Sequence, residues 1–212
     1  MTNMRSPNIA PLLTSALVQN NLTLTAAEQQ QLLRYLDLMQ TWNRVFNLTT
    51  ITEPRDMVYL HIIDSLAVQP YLHDTRLLDV GTGAGLPGIP LAIVNPGQHW
   101  VLLDKNSKKT RFLTQAVAEL KLANVEVVHN RSEDFHTDHC FDSILSRALG
   151  TIRMFAETTE HLLCPSGKLI AMKGKYPQEE LDDLPGSFKV QDITRLDIKG
   201  MDIERHIVRL IR

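Results

Sequence analysis

At 212 residues the chain is long enough for one globular domain and an additional segment. Its 43% hydrophobic content is typical of a soluble globular protein. The net charge of −2 argues against a protein whose whole surface binds phosphate groups, although it allows a local basic face. No apolar run is long enough to span a membrane, and we expect no signal peptide. The two cysteines do not make a disulfide framework in a chain of this length, so we expect a cytoplasmic protein.

The first 70 residues have a helical pattern. Asn8 to Gln19 predicts a short helix, and Thr25 and Glu28 have the spacing of a capping box at the start of a second one. Pro54 fits the first turn of a third helix, which we expect to end at Pro70. The second helix has an apolar face, for which core packing is the simplest interpretation: Leu32, Leu33, Leu36, Met39, Trp42 and Phe46.

Strands and helices alternate from Leu77 onward, which predicts a parallel sheet with right-handed crossovers. Two final extended runs predict an antiparallel terminal hairpin. The expected strands are 77–80, 100–103, 125–129, 143–146, 168–172, 188–193 and 206–211. The expected helices are 87–95, 107–120 with Ser107 as N-cap, 151–162 and 178–184, and 164–167 reads as a turn. We therefore expect an α/β domain over residues 73–212, with residues 1–72 as a helical extension packed on it.

The turn after the first strand has the most informative sequence of the chain. Asp79 ends an apolar run, and glycines follow at positions 81, 83 and 85 before a helix opens. Glycine permits positive φ and lets a ligand approach the backbone, so a strand, a glycine turn and a helix start together predict a nucleotide-type cofactor site. Asp104 ends the next strand, where an acid can hold the two hydroxyls of a ribose.

The G-x-G-x-x-G pattern of Gly83 to Gly88 does not by itself identify the cofactor. Asp79 favours S-adenosylmethionine, because an ammonium and a sulfonium attract a carboxylate whereas a pyrophosphate attracts amide donors. The lack of an obvious second domain for a hydride acceptor and, by analogy of fold, the terminal hairpin point the same way. Simpler roles stay open: Asp79 as a carboxylate that caps the loop, and Asp104 as an acid at a helix N-terminus.

Several segments, in order along the chain, resemble the RsmG (GidB) family of 16S rRNA guanine-N7 methyltransferases. The stretch GTGAGLPGIPL is far more specific than a generic glycine loop, and its Ala84, where relatives often have proline, keeps the turn small. The segments that carry the resemblance are Trp42–Thr49, His61–Leu66, Asp79–Ile93, Leu102–Leu113, Arg131–Phe135, Ser146–Ala148, Met172–Gly174 and Glu204–His206.

The resemblance implies a class I S-adenosylmethionine-dependent methyltransferase, with a Rossmann-like sheet, that acts on one guanosine in the 530-loop region of small-subunit rRNA. Its motifs imply cofactor contacts from Gly81 and Leu86 in the glycine loop, from Ser132 and Glu133 beside the adenine, and from Arg147. To these we add Asp79, Gly83 and Asp104 on physical grounds. The expected partner is 16S rRNA or a precursor of the small ribosomal subunit. We expect the protein to act as a monomer and to bind neither DNA nor a membrane.

Guanine N7 is an unprotonated acceptor, so its lone pair can attack a methyl group without a general base. The enzyme's task is then mainly placement, and we nominate no catalytic histidine. Arg147, at the end of the fourth strand, is our candidate for positioning the substrate, through the cofactor carboxylate, a phosphate or guanine O6. A structural salt bridge is its alternative role.

RNA contacts are expected from local basic residues, since phosphate contacts fix the register on RNA. For the cluster after the second strand, a solvated helix face is the simpler alternative. Trp42 and Phe46 could stack a flipped base, but core packing explains them better. The nominated residues are Arg44, Lys105, Lys108, Lys109, Arg111, Lys173 and Arg205.

Other interpretations carry less weight. His136, His139 and Cys140 are metal-competent, but Cys164 is the only other thiol, and a polar loop explains them more simply, so we expect no metal. A nicotinamide-dependent oxidoreductase and an RNA-binding protein without cofactor activity are the alternative functions. The intact acid and glycine turn argue against the second of these.

Overall fold

A computed structural model of the protein describes residues 9–72, 74–147 and 149–212. The helices are α1 (Ile9–Gln19), α2 (Ala26–Phe46), α3 (Pro54–Met57), α4 (Asp64–Leu66), α5 (Gly88–Val94), α6 (Ser107–Leu120), α7 (Ile152–Thr159) and α8 (Gln178–Asp182). The strands are β1 (Arg76–Val80), β2 (His99–Asp104), β3 (Val125–His129), β4 (Phe141–Arg147), β5 (Leu163–Lys173), β6 (Lys189–Arg195) and β7 (His206–Ile211).

The seven strands form one sheet in the order β3-β2-β1-β4-β5-β7-β6. The first five strands pair in parallel, whereas β7 runs antiparallel between β5 and β6. This confirms the predicted α/β sheet and its terminal hairpin. Because the carboxyl ends of parallel strands lie at one edge, the turns that follow β1 to β5 meet there.

The helices cover both faces of the sheet. Alternation along β2 places Trp100 and Leu102 on one face and Val101 and Leu103 on the other. Helices α1, α2, α5 and α6 contribute to the core on the Leu102 side, and α7 packs with the Val101 side. No helix in the described ranges is long and apolar enough to cross a membrane.

The start of α2 confirms the predicted capping box. The Thr25 hydroxyl accepts from the Glu28 amide at 3.2 Å, and the Glu28 carboxylate accepts from the Thr25 amide at 2.6 Å. At the other end of the helix, the rings of Trp42 and Phe46 stack with centroids 5.1 Å apart, and Trp42 also contacts Phe112. Core packing is therefore the role of this aromatic pair.

The third helical segment differs from the expectation of one helix that ends at Pro70. Helix α3 runs into a π-helical segment, Val58–Ile63, and continues as the short α4. Pro70 lies in a separate 3₁₀ turn, Gln69–Tyr71, because the α-helix has already ended. For the first helix, residue Asn8 of the predicted range lies outside the described residues.

Helix predictions in the second half of the chain also need correction, and the last helix, α8, ends at Asp182 rather than at Leu184. Asn106, not Ser107, caps α6, since its side chain accepts from the Lys108 amide at 3.0 Å. Helix α7 ends at Thr159 and a 3₁₀ turn, Glu160–Leu162, completes the segment.

The predicted turn at 164–167 is part of β5. Phe141 of β4 pairs with Leu163, which draws this segment into the sheet despite its Pro and Gly residues. Cys164 is also bonded to Cys140 in a disulfide with a Cα–Cα distance of 4.9 Å. The sequence analysis did not expect this bond, because it counted Cys164 as a spare thiol.

Tyr35 ties the N-terminal helices to the turn after β1. Its side chain is completely buried, and its hydroxyl donates to the carbonyl oxygen of Ala84 at 2.6 Å. Burial is the largest cause that raises the pKa of Tyr35 well above its usual value, so the phenol stays a proton donor. Helix α2 thus fixes the backbone of the glycine loop.

We predict that Tyr35→Phe lowers the free energy of unfolding by about 1–2 kcal/mol, since it leaves a buried carbonyl without its donor. Urea unfolding measures the change. Tyr71→Phe is the matched control, because Tyr71 is only half-buried and its ring, which lies 5.3 Å from the Arg209 guanidinium, is retained. Equal losses in the two variants would contradict a specific role of the Tyr35 hydroxyl.

Candidate active site

The candidate site lies where the order of the parallel strands reverses, between β1 and β4. Crossovers from β1 lead outward to β2 and β3, whereas β4 leads to β5 on the other side. In open α/β sheets, ligands bind at this switch point, beyond the carboxyl ends of the strands. The turn after β1 is joined to its neighbours here, because Gly81 donates to the Leu103 carbonyl at 2.9 Å and Ser146 donates to the Val80 carbonyl at 3.1 Å.

Two glycines of the turn have no substitute. Gly85 has φ +94°, and a Cβ there would lie 2.6 Å from Ile89. A Cβ on Gly88 would overlap the Leu102 side chain and lie 2.9 Å from the Asp79 carboxylate. The backbone therefore folds back tightly over Asp79, and Leu86, with its buried side chain, is held by a bond from its amide to the Thr82 carbonyl.

Asp79 organises this turn with one oxygen and leaves the other without a partner. Its Oδ2 accepts from the Thr82 hydroxyl at 2.6 Å and from the Gly88 amide at 2.8 Å. Its Oδ1 is buried and has no hydrogen-bond partner among the described residues. Asp79 thus caps the loop, as the alternative interpretation held, and still offers an uncommitted anionic oxygen.

Burial raises the pKa of Asp79 to about 6. The hydrogen bonds from Thr82 and Gly88 and the charge of Arg147 oppose this rise, and the nearby Asp104 adds to it. The pKa of the buried His61 shifts in the opposite direction: burial, and then the charge of Arg147, lower it to about 4. Near neutral pH the site therefore combines an ionised carboxylate with an uncharged imidazole.

Asp104 joins the glycine loop to the end of β2. Its Oδ2 accepts from the Gly83 amide at 2.9 Å, and its Oδ1 accepts from the Asn106 amide at 2.8 Å. The side chain is almost fully buried. It stands at the predicted place on the carboxyl edge, and its bond to Gly83 is a loop-fixing role that the sequence analysis did not foresee.

Ser132 and Glu133 follow β3 at the same edge. Ser132 is half-buried and donates to the exposed Glu133 carboxylate at 3.1 Å. Hydrogen bonds to the Glu133 carboxylate, first from its own backbone amide, lower its pKa. Arg131 pairs with the same carboxylate at 3.4 Å. This turn is therefore a polar surface at the outer end of the candidate site.

Arg147 ends β4 and forms the salt bridge that was its alternative role. Its Nη1 donates to the Asp64 carboxylate at 2.9 Å and to the Leu60 carbonyl at 2.8 Å. Arg205 donates through Nε to the other oxygen of Asp64 at 2.7 Å. One buried carboxylate from α4 thus holds two arginines that come from distant parts of the sequence.

These two arginines line a cavity of about 340 Å³ at the ends of β4 and β5. Besides Asp64, Arg147 and Arg205, its walls are Ile51, Leu60, Met172, Lys173 and Gly174. The cavity is next to the glycine turn, since β4 pairs directly with β1. It is a natural place for an anionic or polar substrate group beside a cofactor.

The other basic residues nominated for RNA do not form one cluster. Lys109 lies over the loop, with Nζ 3.7 Å from where a Cβ on Gly83 would stand. Lys173 is committed within the protein, because its Nζ contacts Glu180 at 2.7 Å and the Gly150 carbonyl at 2.8 Å. Arg44 lines a separate cavity at the end of α2. The exposed residues after β2 are Lys105, Lys108 and Arg111.

The histidine-rich loop before β4 lies at the amino edge of the sheet, away from this site. His136 packs against His161 with ring centroids 5.4 Å apart, and Cys140 is in the disulfide. Among residues 9–72, 74–147 and 149–212, no three His, Cys, Asp or Glu side chains form a potential metal site.

Comparison with known proteins decides the family. The family model for rRNA small subunit methyltransferase G (GidB) matches residues 28–208. The chain belongs to this family. It is 45% identical over 199 residues to Ribosomal RNA small subunit methyltransferase G of Nitrosococcus oceani, covering 94% of this chain and 93% of that protein. The corresponding protein of Escherichia coli is 41% identical over 196 residues, covering 92% and 95%.

Solved structures of low sequence identity share the fold. A methyltransferase from Aquifex aeolicus described as SAM-dependent has a TM-score of 0.60 at 18% identity, covering 78% of this chain and 97% of that one. Coclaurine N-methyltransferase, bound to N-methylheliamine and SAH, has a TM-score of 0.61 at 9% identity, covering 96% and 93%. The chain therefore shares the fold of these methyltransferases, as its resemblance to the RsmG (GidB) family implied.

Asp64 is not among the cofactor-binding, catalytic or RNA-binding residues that the sequence analysis proposed. It lies in the HIIDSL segment, which the resemblance had already singled out, but an aspartate on an apolar helix gives no sign of its partners. Only the fold brings Arg147 and Arg205 to it. The same holds for Tyr35, whose hydroxyl reaches the glycine loop from α2.

We predict that Asp79→Asn makes the unfolding free energy fall more steeply on acidification from about pH 6.5 to about pH 4. The raised pKa of Asp79 stabilises the fold at low pH, and this contribution is lost as the pH rises through about 6. The lowered pKa of His61 does the opposite, since its contribution is lost as the pH falls from about 6.5 toward 4. The variant keeps only the second effect.

Urea unfolding at a series of pH values between about 6.5 and 4 measures how steeply the unfolding free energy depends on pH. His61→Gln is the matched control, because it keeps only the Asp79 contribution and changes the slope in the opposite direction. Parallel pH profiles for the wild type and Asp79→Asn would show that Asp79 does not titrate as its burial requires.

Proposed function

We propose that this chain transfers the methyl group of S-adenosylmethionine to N7 of a guanosine in 16S rRNA, in the 530-loop region. The family assignment supports a small-subunit rRNA substrate. The observation on which the proposal chiefly rests is the uncommitted, buried oxygen of Asp79 beneath the glycine turn. An anion in that place fits a cofactor that carries positive charge better than one that carries a pyrophosphate.

The residues present fit S-adenosylmethionine. Asp79 Oδ1 would accept from its ammonium group, and the backbone at Gly83 leaves space for it, since a Cβ there would meet nothing closer than 3.7 Å. Asp104, at the end of β2, would hold the ribose hydroxyls. Ser132 and Glu133 would flank the adenine, as the family motifs imply.

When bound, this cofactor would supply a sulfonium-activated methyl carbon with the sulfur as its leaving group. N7 carries a lone pair and no proton, so the residues of the chain need not remove one. The buried His61 is uncharged near neutral pH and bonds to Thr49, and it is not among the residues that line the 340 Å³ cavity. The chain's contribution is to hold the guanine N7 and the methyl group in line and to stabilise the charge that develops in the transition state.

The chain offers rRNA a cationic route to the site. Lys105, Lys108 and Arg111 are exposed beside the cofactor edge and would bind backbone phosphate. Lys109 lies closer to the glycine turn, and the pairing of Lys173 with Glu180 makes it a weaker candidate than its sequence position suggested. We propose further that residues 1–72 extend a methyltransferase core of residues 73–212, and that the chain acts as a monomer in the cytoplasm, where ribosomal subunits mature.

We predict that the purified chain binds S-adenosylhomocysteine and that Asp79→Asn weakens this binding at least tenfold near pH 7.5, since the ammonium loses its anionic partner. Calorimetry measures the affinity. Asp142→Asn is the matched control: Asp142 accepts from Arg76 at the opposite edge of the sheet, and we expect unchanged binding.

Mass mapping of 16S rRNA from cells with and without the gene then tests the substrate. Loss of 7-methylguanosine from the 530-loop region in the deletion strain, and its return in vitro with purified chain, is the expected result. Binding of NAD in place of S-adenosylhomocysteine, or an unchanged modification map, would overturn the proposal.

A further inference from the structure

Asp64 occupies an unusual position for an acid. It is the only member of its three-residue helix α4 with a charge, and its side chain is 1% exposed. Each of its oxygens accepts from a different arginine, Arg147 at 2.9 Å and Arg205 at 2.7 Å. A buried carboxylate needs such partners, but one arginine would neutralise it, so the second arginine leaves the group with a net positive charge.

The two arginines use only part of their donor sets in these bonds. Arg147 donates through Nη1, and Arg205 donates through Nε and Nη1, within the described residues. A guanidinium has five N–H donors in a fixed plane, and the Nη2 groups of both arginines have no hydrogen-bond partner among residues 9–72, 74–147 and 149–212. Both side chains are about one quarter exposed, and both line the 340 Å³ cavity.

The other charges of the cavity do not cancel this excess. Lys173 is paired with Glu180, and these two neutralise each other. The remaining walls are apolar or backbone: Ile51, Leu60, Met172 and Gly174. A partly apolar cavity lined by guanidinium donors suits a nucleotide that has acceptor oxygens on its base or its phosphate.

On this basis we propose that Asp64 is a positioning residue for the target nucleotide. It fixes the planes of Arg147 and Arg205 so that their free N–H groups point into the cavity, where they bind acceptor oxygens of the guanosine nucleotide, such as O6 or the phosphate. This rests on the proposed function and assigns its substrate subsite. Because Asp64 acts through the arginines, it does not touch the reacting atoms.

Asp64→Asn tests this inference. We expect kcat/KM for rRNA to fall about tenfold or more, because asparagine has one acceptor oxygen and no charge, while the affinity for S-adenosylhomocysteine stays within about twofold. Asp192→Asn is the matched control, since it breaks an equally close Arg–Asp pair, with Arg209 at 2.7 Å, in the terminal hairpin. It should leave kcat/KM unchanged.

A double-mutant cycle separates positioning from general stability. Because Asp64 acts through Arg205 as well as Arg147, the loss in the double variant Asp64→Asn with Arg205→Gln should be clearly smaller than the sum of the two single losses. Should Asp64→Asn fail to fold, Arg205→Gln alone keeps the test, with a raised KM for rRNA and unchanged S-adenosylhomocysteine binding expected. Wild-type kcat/KM in folded Asp64→Asn, additive losses, or a loss of cofactor affinity alone would overturn the inference. A wild-type chain inactive on rRNA would instead refute the proposed function.

A second, independent feature stands at the rim of this cavity. All Phe, Trp and Tyr residues of the chain lie in the described ranges, and Tyr176 is the only exposed one among them, at 49%. Its ring meets the buried His206 ring edge to face, with centroids 5.7 Å apart. His206 in turn contacts the carbonyl oxygen of Gly174, a wall of the cavity, at 3.4 Å.

Such an aromatic side chain, supported on one side and open on the other, is a stacking surface for an unpaired base. Exposed rings are costly in water, and single-stranded RNA is recognised by stacking of splayed bases on aromatic faces. We infer that Tyr176 stacks on a base next to the target guanosine. This too rests on the proposed function.

We expect Tyr176→Ala to raise the KM for rRNA at least about fivefold with little change in kcat, and Tyr176→Phe to retain the wild-type KM. Tyr176→Leu, which keeps apolar bulk without a ring, should behave like alanine. Ile211→Ala, which removes an exposed apolar side chain at the far end of β7, is the control. A wild-type KM for Tyr176→Ala or for Tyr176→Leu would overturn the inference.

Discussion

The Asp79 carboxylate is the constraint from which the site is built. It ends β1, and its Oδ2 holds both the Thr82 hydroxyl and the Gly88 amide, so the strand, the glycine turn and the start of α5 share one anchor. The cost of burying this charge is visible in its raised pKa of about 6. A carboxylate kept in such a place, with one oxygen unused, is typical of a binding site that a charged ligand completes.

The surrounding contacts make this turn rigid. Asp104 holds the Gly83 amide from the side of β2, and Tyr35 holds the Ala84 carbonyl from the side of the N-terminal helices. The turn is thus bonded on successive residues by groups from three parts of the chain. For methyl transfer to a base that needs no proton removed, such fixed placement is the main contribution that a protein can make.

On the other side of the switch point, a buried carboxylate again organises the site, here by binding two arginines. Asp64 neutralises only one of the two arginines that it binds, and the 340 Å³ cavity beside it keeps a positive excess. The two halves of the site therefore have opposite character: an anionic oxygen under the glycine turn for a cationic cofactor, and guanidinium donors for a substrate rich in acceptor oxygens. Under the proposed function, this separation would place the cofactor and the nucleotide in distinct subsites.

By itself the sequence determined the alternation of strands and helices, the glycine turn and the acids at the ends of β1 and β2, because these depend on local periodicity and on the backbone freedom of glycine. It could not assign partners across long separations. The bonds of Asp64 to Arg147 and Arg205, the pairing of Lys173 with Glu180, and the inclusion of 163–167 in β5 were decided by tertiary structure. Each depends on which strands and helices become neighbours, and that is set by packing of the whole core rather than by any local pattern.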